Sequence, residues 1–241
     1  MDPQTAVQKN GTEQTLLEQR LNRRKFLLFS GTAASAALLG VACGKEEDSP
    51  FFPSTDVDLG SGDFGILNYA YALEQLEAAF YVQVLNTPYA SMPAIESELL
   101  RDIRDHEVAH REFFKNALGT NAIKALEVNF SSIDFANRAS VLGTAKAFED
   151  LGVSAYNGAG KLLQSADFLL LAGKIVSVEA RHAAIIRELI TPGSFADLGS
   201  LAPLGANNAS ALDGALMPKD VLAIAAGFLK TKVTGNNLPT S

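Results

Sequence analysis

A short unit occurs twice along this chain: a glutamate, a tyrosine seven residues later, then Glu-x-x-His. The first copy is Glu74, Tyr81 and Glu107-x-x-His110; the second is Glu149, Tyr156 and Glu179-x-x-His182. The leading glutamate precedes its Glu-x-x-His by 33 residues in the first copy and by 30 in the second. The copies are offset by 72–75 residues. On a helix, residues three apart share a face, so each Glu-x-x-His points a carboxylate and an imidazole the same way. Seven residues is two helical turns, which puts each tyrosine on the face of its glutamate. A single Glu-x-x-His carries little weight, because Glu and His fall three apart on many exposed helices. Two copies, each with a glutamate in register upstream, constrain the fold strongly. They call for four helices in a two-fold-like arrangement that brings four glutamates and two histidines together.

The surroundings of these glutamates are apolar. Glu74 lies among Tyr71, Leu73 and Leu76, and Glu179 follows Ile175-Val176-Ser177-Val178. A buried, unpaired carboxylate costs several kcal/mol or shifts its pKa by roughly 3–5 units at the extreme. Bound metal removes that cost. Carboxylates that bridge two ions, with an imidazole on each, suit a dimetal site. Glu77 is a further carboxylate on the face of Glu74, either an additional ligand or a substitute for it. The shared seven-residue offset to tyrosine favours Glu74. His106 adjoins Glu107 and so points about 100° away from it; it reads as a surface or supporting residue. Tyr81 and Tyr156 read as core aromatics with a bonded hydroxyl, or as hydrogen-bond partners of the ligand glutamates. Arg181 and Arg187 read as solvated or paired with acids.

Composition agrees with a helical bundle. Hydrophobic residues make up 47% of the chain, and there is no Trp. Ala and Leu dominate, which favours closely packed helices. The net charge of −7 argues against nucleic acid as a partner. One cysteine, Cys43, excludes an internal disulfide and a Cys-rich zinc site. No Gly-rich phosphate loop or Ser/His/Asp nucleophile set stands out.

Residues 1–43 read as an export signal. Asn22-Arg23-Arg24-Lys25 precedes an apolar or small-residue run from Phe26 to Ala42. Arg23-Arg24-Lys25-Phe26-Leu27 resembles a twin-arginine signal. Val41-Ala42-Cys43-Gly44 resembles a lipobox that would lipidate Cys43, although Gly40 stands where Leu is usual. Lys45-Glu46-Glu47-Asp48 resembles an acidic export tag. The alternative is an uncleaved membrane anchor over 26–43. Either reading places the protein in the cell envelope, periplasmic or membrane-anchored, with surface exposure compatible with both.

Residues 44–62 read as a tether. The bundle is expected over 63–192, with helices at about 63–86 (Asp63 as N-cap), 92–118 (closed by Gly119), 135–163 and 166–190 (Ser165 as N-cap). Residues 120–134 are long for a helix hairpin and imply a crossover between helices 2 and 3. Gly152, Ser154, Ala155 and Gly158 give helix 3 a small-residue face for a neighbouring helix. Residues 193–241 form a C-terminal extension: loop over 195–217, a short fifth helix at 218–230, and a frayed polar tail.

From Phe64 to Pro192 the chain resembles the ferritin-like superfamily, and most of all its exported bacterial, desiccation-related group. Leu67 to Tyr81, Glu149 to Ala159 and Val178 to Ala183 carry the likeness. It implies an all-α, ferritin-like four-helix bundle with a dimetal site of Glu74, Glu107, His110, Glu149, Glu179 and His182. Two iron ions are the implied cofactor, with two manganese ions as the alternative. The implied activity is ferroxidase-like or peroxide-consuming, with O₂ or peroxide as substrate in stress protection. A homodimer is compatible with it. A non-catalytic binding or structural protein of the envelope, or a metal carrier, is the alternative on the same bundle. The pattern departs from bacterioferritins, which place Asp before each Glu-x-x-His to orient a histidine. Here His106 and Val178 hold those positions.

Overall fold

The structure, a computed structural model, describes residues 56–241. The export signal, Cys43 and most of the tether lie outside the described residues. Four long helices dominate: α1 Gly62–Asn86, α2 Ala94–Leu118, α3 Arg138–Gly160 and α4 Ala166–Ile190. Helix α5, Pro218–Ala225, is short and continues as a 3-10 turn to Phe228. Two 3-10 helices, Gly119–Asn121 and Gly199–Leu204, and strands β1, Val57–Asp58, and β2, Val233–Thr234, complete the elements among the described residues. The all-α four-helix architecture expected from the sequence is the one observed, with the crossover between α2 and α3 and a short helix near the C-terminus. None of the described helices is long and apolar enough to cross a membrane.

The helices pair as the repeat demands. Helix α1 packs along α2 and α3 along α4, each pair joined by a short connection that makes an antiparallel hairpin. Helix α1 is buried nearly all round, from Gly65 to Ala78 without a break. Its sequence explains this, since Ile66-Leu67, Tyr69 to Leu73 and Leu76 leave no polar stripe. Helix α2 instead buries one stripe, Leu100, Ile103, Glu107, Phe114 and Leu118, at spacings of three, four and seven. The glutamate sits within the apolar series, so the rule that buries the leucines also buries Glu107.

The crossover lies along α1 and is fastened to it by two buried amides. Asn68 accepts from the Ile123 N–H at 3.0 Å and donates to the Asn121 carbonyl at 2.9 Å. Gln75, two turns on, accepts from the Leu126 N–H at 2.8 Å. The extended piece expected near 126–130 forms a single bridge, Val128 to Leu229.

Several local expectations are corrected. Asp63 does not cap α1, whose N-cap is Ser61. Its carboxylate accepts from the Gln164 and Ser165 N–H groups at 2.8 and 2.9 Å, so it pins the α3–α4 connection. Ser165 does cap α4, accepting from the Phe168 N–H. Helix α3 starts at Arg138, because Asn137 accepts from the N–H groups of Ala139 and Ser140 and stops the helix extending backwards. The end of the tether and the tail belong to the folded domain. Val57 pairs with Val233 and Asp58 with Thr234 in a parallel ladder, and Leu59 and Leu238 are buried.

The small-residue face of α3 is shared: Gly152 faces Glu77 of α1, as a close helix requires, while Ser154 and Gly158 receive no helix. They receive the extended segment 214–216, with Leu216 N–H donating to the Ser154 carbonyl at 3.0 Å. A Cβ at Gly158 would lie 1.8 Å from the Leu216 carbonyl oxygen, so only glycine permits this approach. Arg187 closes the same seam. It is buried against Asp150, with contacts of 2.9 and 2.6 Å, and donates to Ser200 Oγ at 2.8 Å. Arg181 is exposed, as expected.

Candidate metal centre

The four helices deliver one glutamate each to the middle of the bundle. Glu74 comes from α1, Glu107 from α2, Glu149 from α3 and Glu179 from α4, and all four are fully buried. His110 follows Glu107 by one turn on α2, and His182 follows Glu179 on α4. The six side chains form two overlapping groups. One contains Glu74, Glu107, His110 and Glu179; the other contains Glu107, Glu149, Glu179 and His182, and in each the ligand atoms lie within 4.8 Å of one another. Glu107 and Glu179 belong to both, so they are placed to bridge. Glu74 and Glu149 belong to one each.

The distances repeat under exchange of the two halves. His110 Nδ1 lies 3.0 Å from Glu179, 3.5 Å from Glu74 and 4.0 Å from Glu107. His182 Nδ1 lies 2.9 Å from Glu107, 3.5 Å from Glu149 and 3.9 Å from Glu179. The repeat seen in the chain is therefore a two-fold-like symmetry in space.

Eight buried atoms of this cluster have no hydrogen-bond partner: Oε2 of Glu74 and Glu149, both oxygens of Glu107 and Glu179, and Nδ1 of His110 and His182. The imidazole nitrogens stand close to carboxylate oxygens, yet the angles needed for a hydrogen bond are not met. An orphaned buried acceptor costs about 1–3 kcal/mol, more if charged, so eight together are intolerable without a further partner. Four carboxylates and two neutral imidazoles carry a charge that two divalent cations balance. Oxygen and imidazole donors with two bridging carboxylates suit iron or manganese. The residues present fit a pair of metal ions.

Without a cation the cluster holds protons. Burial first, then the carboxylates of Glu179, Glu74 and Glu149, push the Glu107 carboxyl well above its usual range. Burial, then the Glu74 and Glu149 carboxylates, raise Glu179 to about 8 against the opposing pull of His110 and His182. At His110 burial opposes the charged form, but the adjacent Glu179 and Glu74 carboxylates outweigh it and hold the pKa at about 10.

Both repeat tyrosines reach across the bundle. Tyr81 of α1 donates to Glu149 of α3, and Tyr156 of α3 donates to Glu74 of α1. Each glutamate that serves a single group thus has its second oxygen held by the other half's tyrosine. Both phenols are pushed well above their ordinary pKa, by burial first and then by the nearby carboxylates, so they remain donors.

His106 occupies the position where bacterioferritins carry Asp. Its Nδ1 lies 2.9 Å from His182 Nε2, and the two rings stack at 5.1 Å. A metal held by His182 Nδ1 would leave Nε2–H to donate to His106, which would fix ring and tautomer. Burial, then His182 and His110, lower the His106 pKa and keep it a neutral acceptor. The adjacency of His106 to Glu107 signals this only once α2 and α4 face each other.

Glu77 is buried beside the cluster but outside both groups. Its counterpart in the second half, three residues after Glu149, is Gly152. A Cβ there would lie 3.1 Å from Glu77 Oε1 and 3.8 Å from Glu179 Oε2. Glu77 fills the space that the missing side chain leaves. Burial, then Glu179, Glu149 and Glu74, push its carboxyl well above the usual range.

Comparison with known proteins supports the same reading. A search of curated proteins finds no match. Residues 62–192, just over half of the chain, match the family described as Ferritin-like domain. Those residues run from the start of α1 to just past the end of α4 and contain all six clustered side chains. The chain belongs to the ferritin-like domain family.

Proposed function

We propose that this chain is an exported protein whose bundle holds two iron ions, or two manganese ions, for oxidase, ferroxidase-like or peroxide-consuming chemistry in stress protection. The observation that carries this is the set of eight orphaned donor atoms, divided four and four between two groups that share Glu107 and Glu179. A pair of redox-active ions, when bound, supplies two electrons, the number needed to reduce O₂ to H₂O₂ or H₂O₂ to water. The residues do the rest. Glu107 and Glu179 span the two positions, and Glu74 and Glu149 each close one. His110 and His182 supply neutral donors, and Tyr81 and Tyr156, which keep their own protons, donate hydrogen bonds to Glu149 and Glu74. The surrounding apolar core excludes water and strengthens each of these interactions. Export rests on the sequence of residues 22–43, which suits release from the cytoplasm by the twin-arginine route with attachment through Cys43.

The test is elemental analysis of protein purified from the envelope of its native host, followed by ferrous-iron and peroxide assays. The expected result is about two metal ions per chain, as the paired groups require, with loss of both metal and turnover in Glu149→Ala. Bound metal without turnover would identify a carrier. Fewer than one ion per chain, unchanged by Glu149→Ala, would sink the reading.

A further inference from the structure

Helix α4 opens with Phe168-Leu169-Leu170-Leu171 just after its first residues. Successive residues on a helix point about 100° apart, so such a run cannot all face the core. Phe168 and Leu171 line an apolar cleft to which all four long helices contribute. Leu169 and Leu170 are left outside, 47% and 59% exposed. Phe113, on the cleft wall in the last turns of α2, and Phe64, in the first turn of α1, are exposed as well. Helices α1 and α4 begin at this end of the bundle, and α2 and α3 finish there. Asp63 ties the start of α1 to the α3–α4 connection, and Leu169 leans on the end of α3, 3.5 Å from where a Cβ on Gly160 would stand. Large apolar side chains gathered at one end mean more than the same residues scattered singly. The charge around them also runs against that of the chain. Over residues 111–118 and 161–174, Arg111, Lys115, Lys161 and Lys174 outnumber Glu112 and Asp167, although the whole chain carries −7. The three lysines are exposed.

We propose that this end of the bundle rests on a lipid surface with anionic headgroups, its apolar side chains at the boundary of headgroup and acyl chain and its lysines among the phosphates. The inference rests on the membrane attachment proposed above and adds which part of the domain meets the membrane. Chain length permits the contact: residues 44–55, fully extended, span at most about 40 Å, so a domain held at Cys43 stays within reach of the bilayer. Attachment also lets a weak contact suffice, because a tethered domain meets the surface at high effective concentration. None of the described helices is long and apolar enough to cross a membrane, so the contact is interfacial: apolar area and attraction to anionic lipid act together. A second copy of the chain fits this end less well. A two-fold contact lays the same patch on itself and would set the cationic rim against its own like charge, whereas lipid phosphates neutralise it.

The test uses the protein isolated from the membranes of its host and reconstituted into vesicles of phosphatidylcholine and phosphatidylglycerol in equal parts. A thiol-reactive, environment-sensitive fluorophore is placed at Leu170→Cys and, in a second variant, at Ile95→Cys. Ile95 is exposed to the same 59% but stands at the start of α2, the opposite end of the bundle. Lipids that carry a quencher near the headgroup should cut emission from Leu170→Cys by about twofold or more and leave Ile95→Cys unchanged. In pure phosphatidylcholine the difference should shrink, because the lysines lose their partners. Lys174→Cys, one turn further along α4, serves should Leu170→Cys fail to fold. Equal quenching at the two ends overturns the inference, as does no quenching at either α4 position. A difference that survives undiminished in pure phosphatidylcholine overturns the assignment to anionic headgroups. An emission change at Leu170→Cys that arises in detergent and grows with protein concentration identifies a second copy of the chain and overturns it too. Wild-type protein reports on the anchor separately. Uptake of the fluorophore at Cys43 defeats lipidation there, and the same two-end comparison in a Cys43→Ser background then decides the lipid contact by itself.

Discussion

Tyr156 lies two turns beyond Glu149 on α3, yet its hydroxyl is bonded to Glu74 on α1. Tyr81 returns the arrangement, from α1 to Glu149. Each half of the repeat thus supports the other half's glutamate, and neither hairpin assembles its own half of the cluster alone. Removing either hydroxyl leaves one glutamate oxygen buried and unpaired. We expect Tyr81→Phe and Tyr156→Phe each to weaken binding of one ion by about 10–100-fold, the usual effect of losing a partner behind a ligand. Titration with Mn²⁺ or anaerobic Fe²⁺ by calorimetry checks this, and two unchanged affinities would refute it.

His106 Nδ1 meets His182 Nε2 at 2.9 Å, and a metal on His182 Nδ1 would make His106 the acceptor. His106→Ala should weaken metal binding at the His182 side by about tenfold or more. His106→Asp restores an acceptor and should recover most of that loss. A His106→Asp variant no better than His106→Ala would show that ring stacking, rather than the hydrogen bond, is what matters.

Gly152 leaves room for the carboxylate of Glu77. Gly152→Ala puts a methyl 3.1 Å from Glu77 Oε1, close enough to force that side chain to move. The expected cost is about 1–3 kcal/mol of stability, typical of overpacking a tight core. Combining it with Glu77→Ala should recover the loss. Chemical denaturation of the four proteins in a double-mutant cycle measures the coupling.

Asp150 and Arg187 form a buried ion pair at the seam between the bundle and the segment after α4. Burial raises the Asp150 carboxyl despite the guanidinium beside it, so this pair brings little net stability. Breaking it is another matter. Asp150→Ala strands a buried guanidinium and should cost about 3–5 kcal/mol. The double change Asp150→Leu with Arg187→Met should cost much less. Equal losses in the two variants, measured by urea unfolding, would contradict this account.

The proton-holding cluster gives the metal-free protein a pH dependence of known sign. Glu179 is raised from 4.5 to about 8 and His110 from 6.5 to about 10. Between its ordinary and its raised value, each group binds more protons in the folded chain than in the unfolded one. Stability from these groups is therefore full at low pH and is lost as pH rises. The melting temperature of chelator-treated protein should fall steadily from about pH 5 to about pH 9. Saturating Mn²⁺ should flatten or reverse that slope, because the ions bind the deprotonated carboxylates. A metal-free protein that gains stability over this range would disprove the assignment.

Much of this protein follows from the chain alone, because the repeat is local information. Residues three and seven apart on a helix share a face whatever the helix packs against, so Glu107 with His110, and Glu149 with Tyr156, are legible as pairs. Two such units require four helices, and the long 120–134 segment requires a crossover. Cross-bundle partnerships are different. Which tyrosine bonds which glutamate, and that His106 meets His182, depend on how α1 faces α3 and α2 faces α4. No spacing within one helix encodes that. The same holds for Asp63, whose capping chemistry is used on a connection about a hundred residues away, and for the small-residue face of α3, which suits a helix or an extended strand of chain equally well. The tail from Thr231 looks polar residue by residue, yet Leu238 finds a buried place and β2 finds β1. Local periodicity supplied the helices and the six clustered side chains; tertiary packing alone decided which neighbours hold them in position.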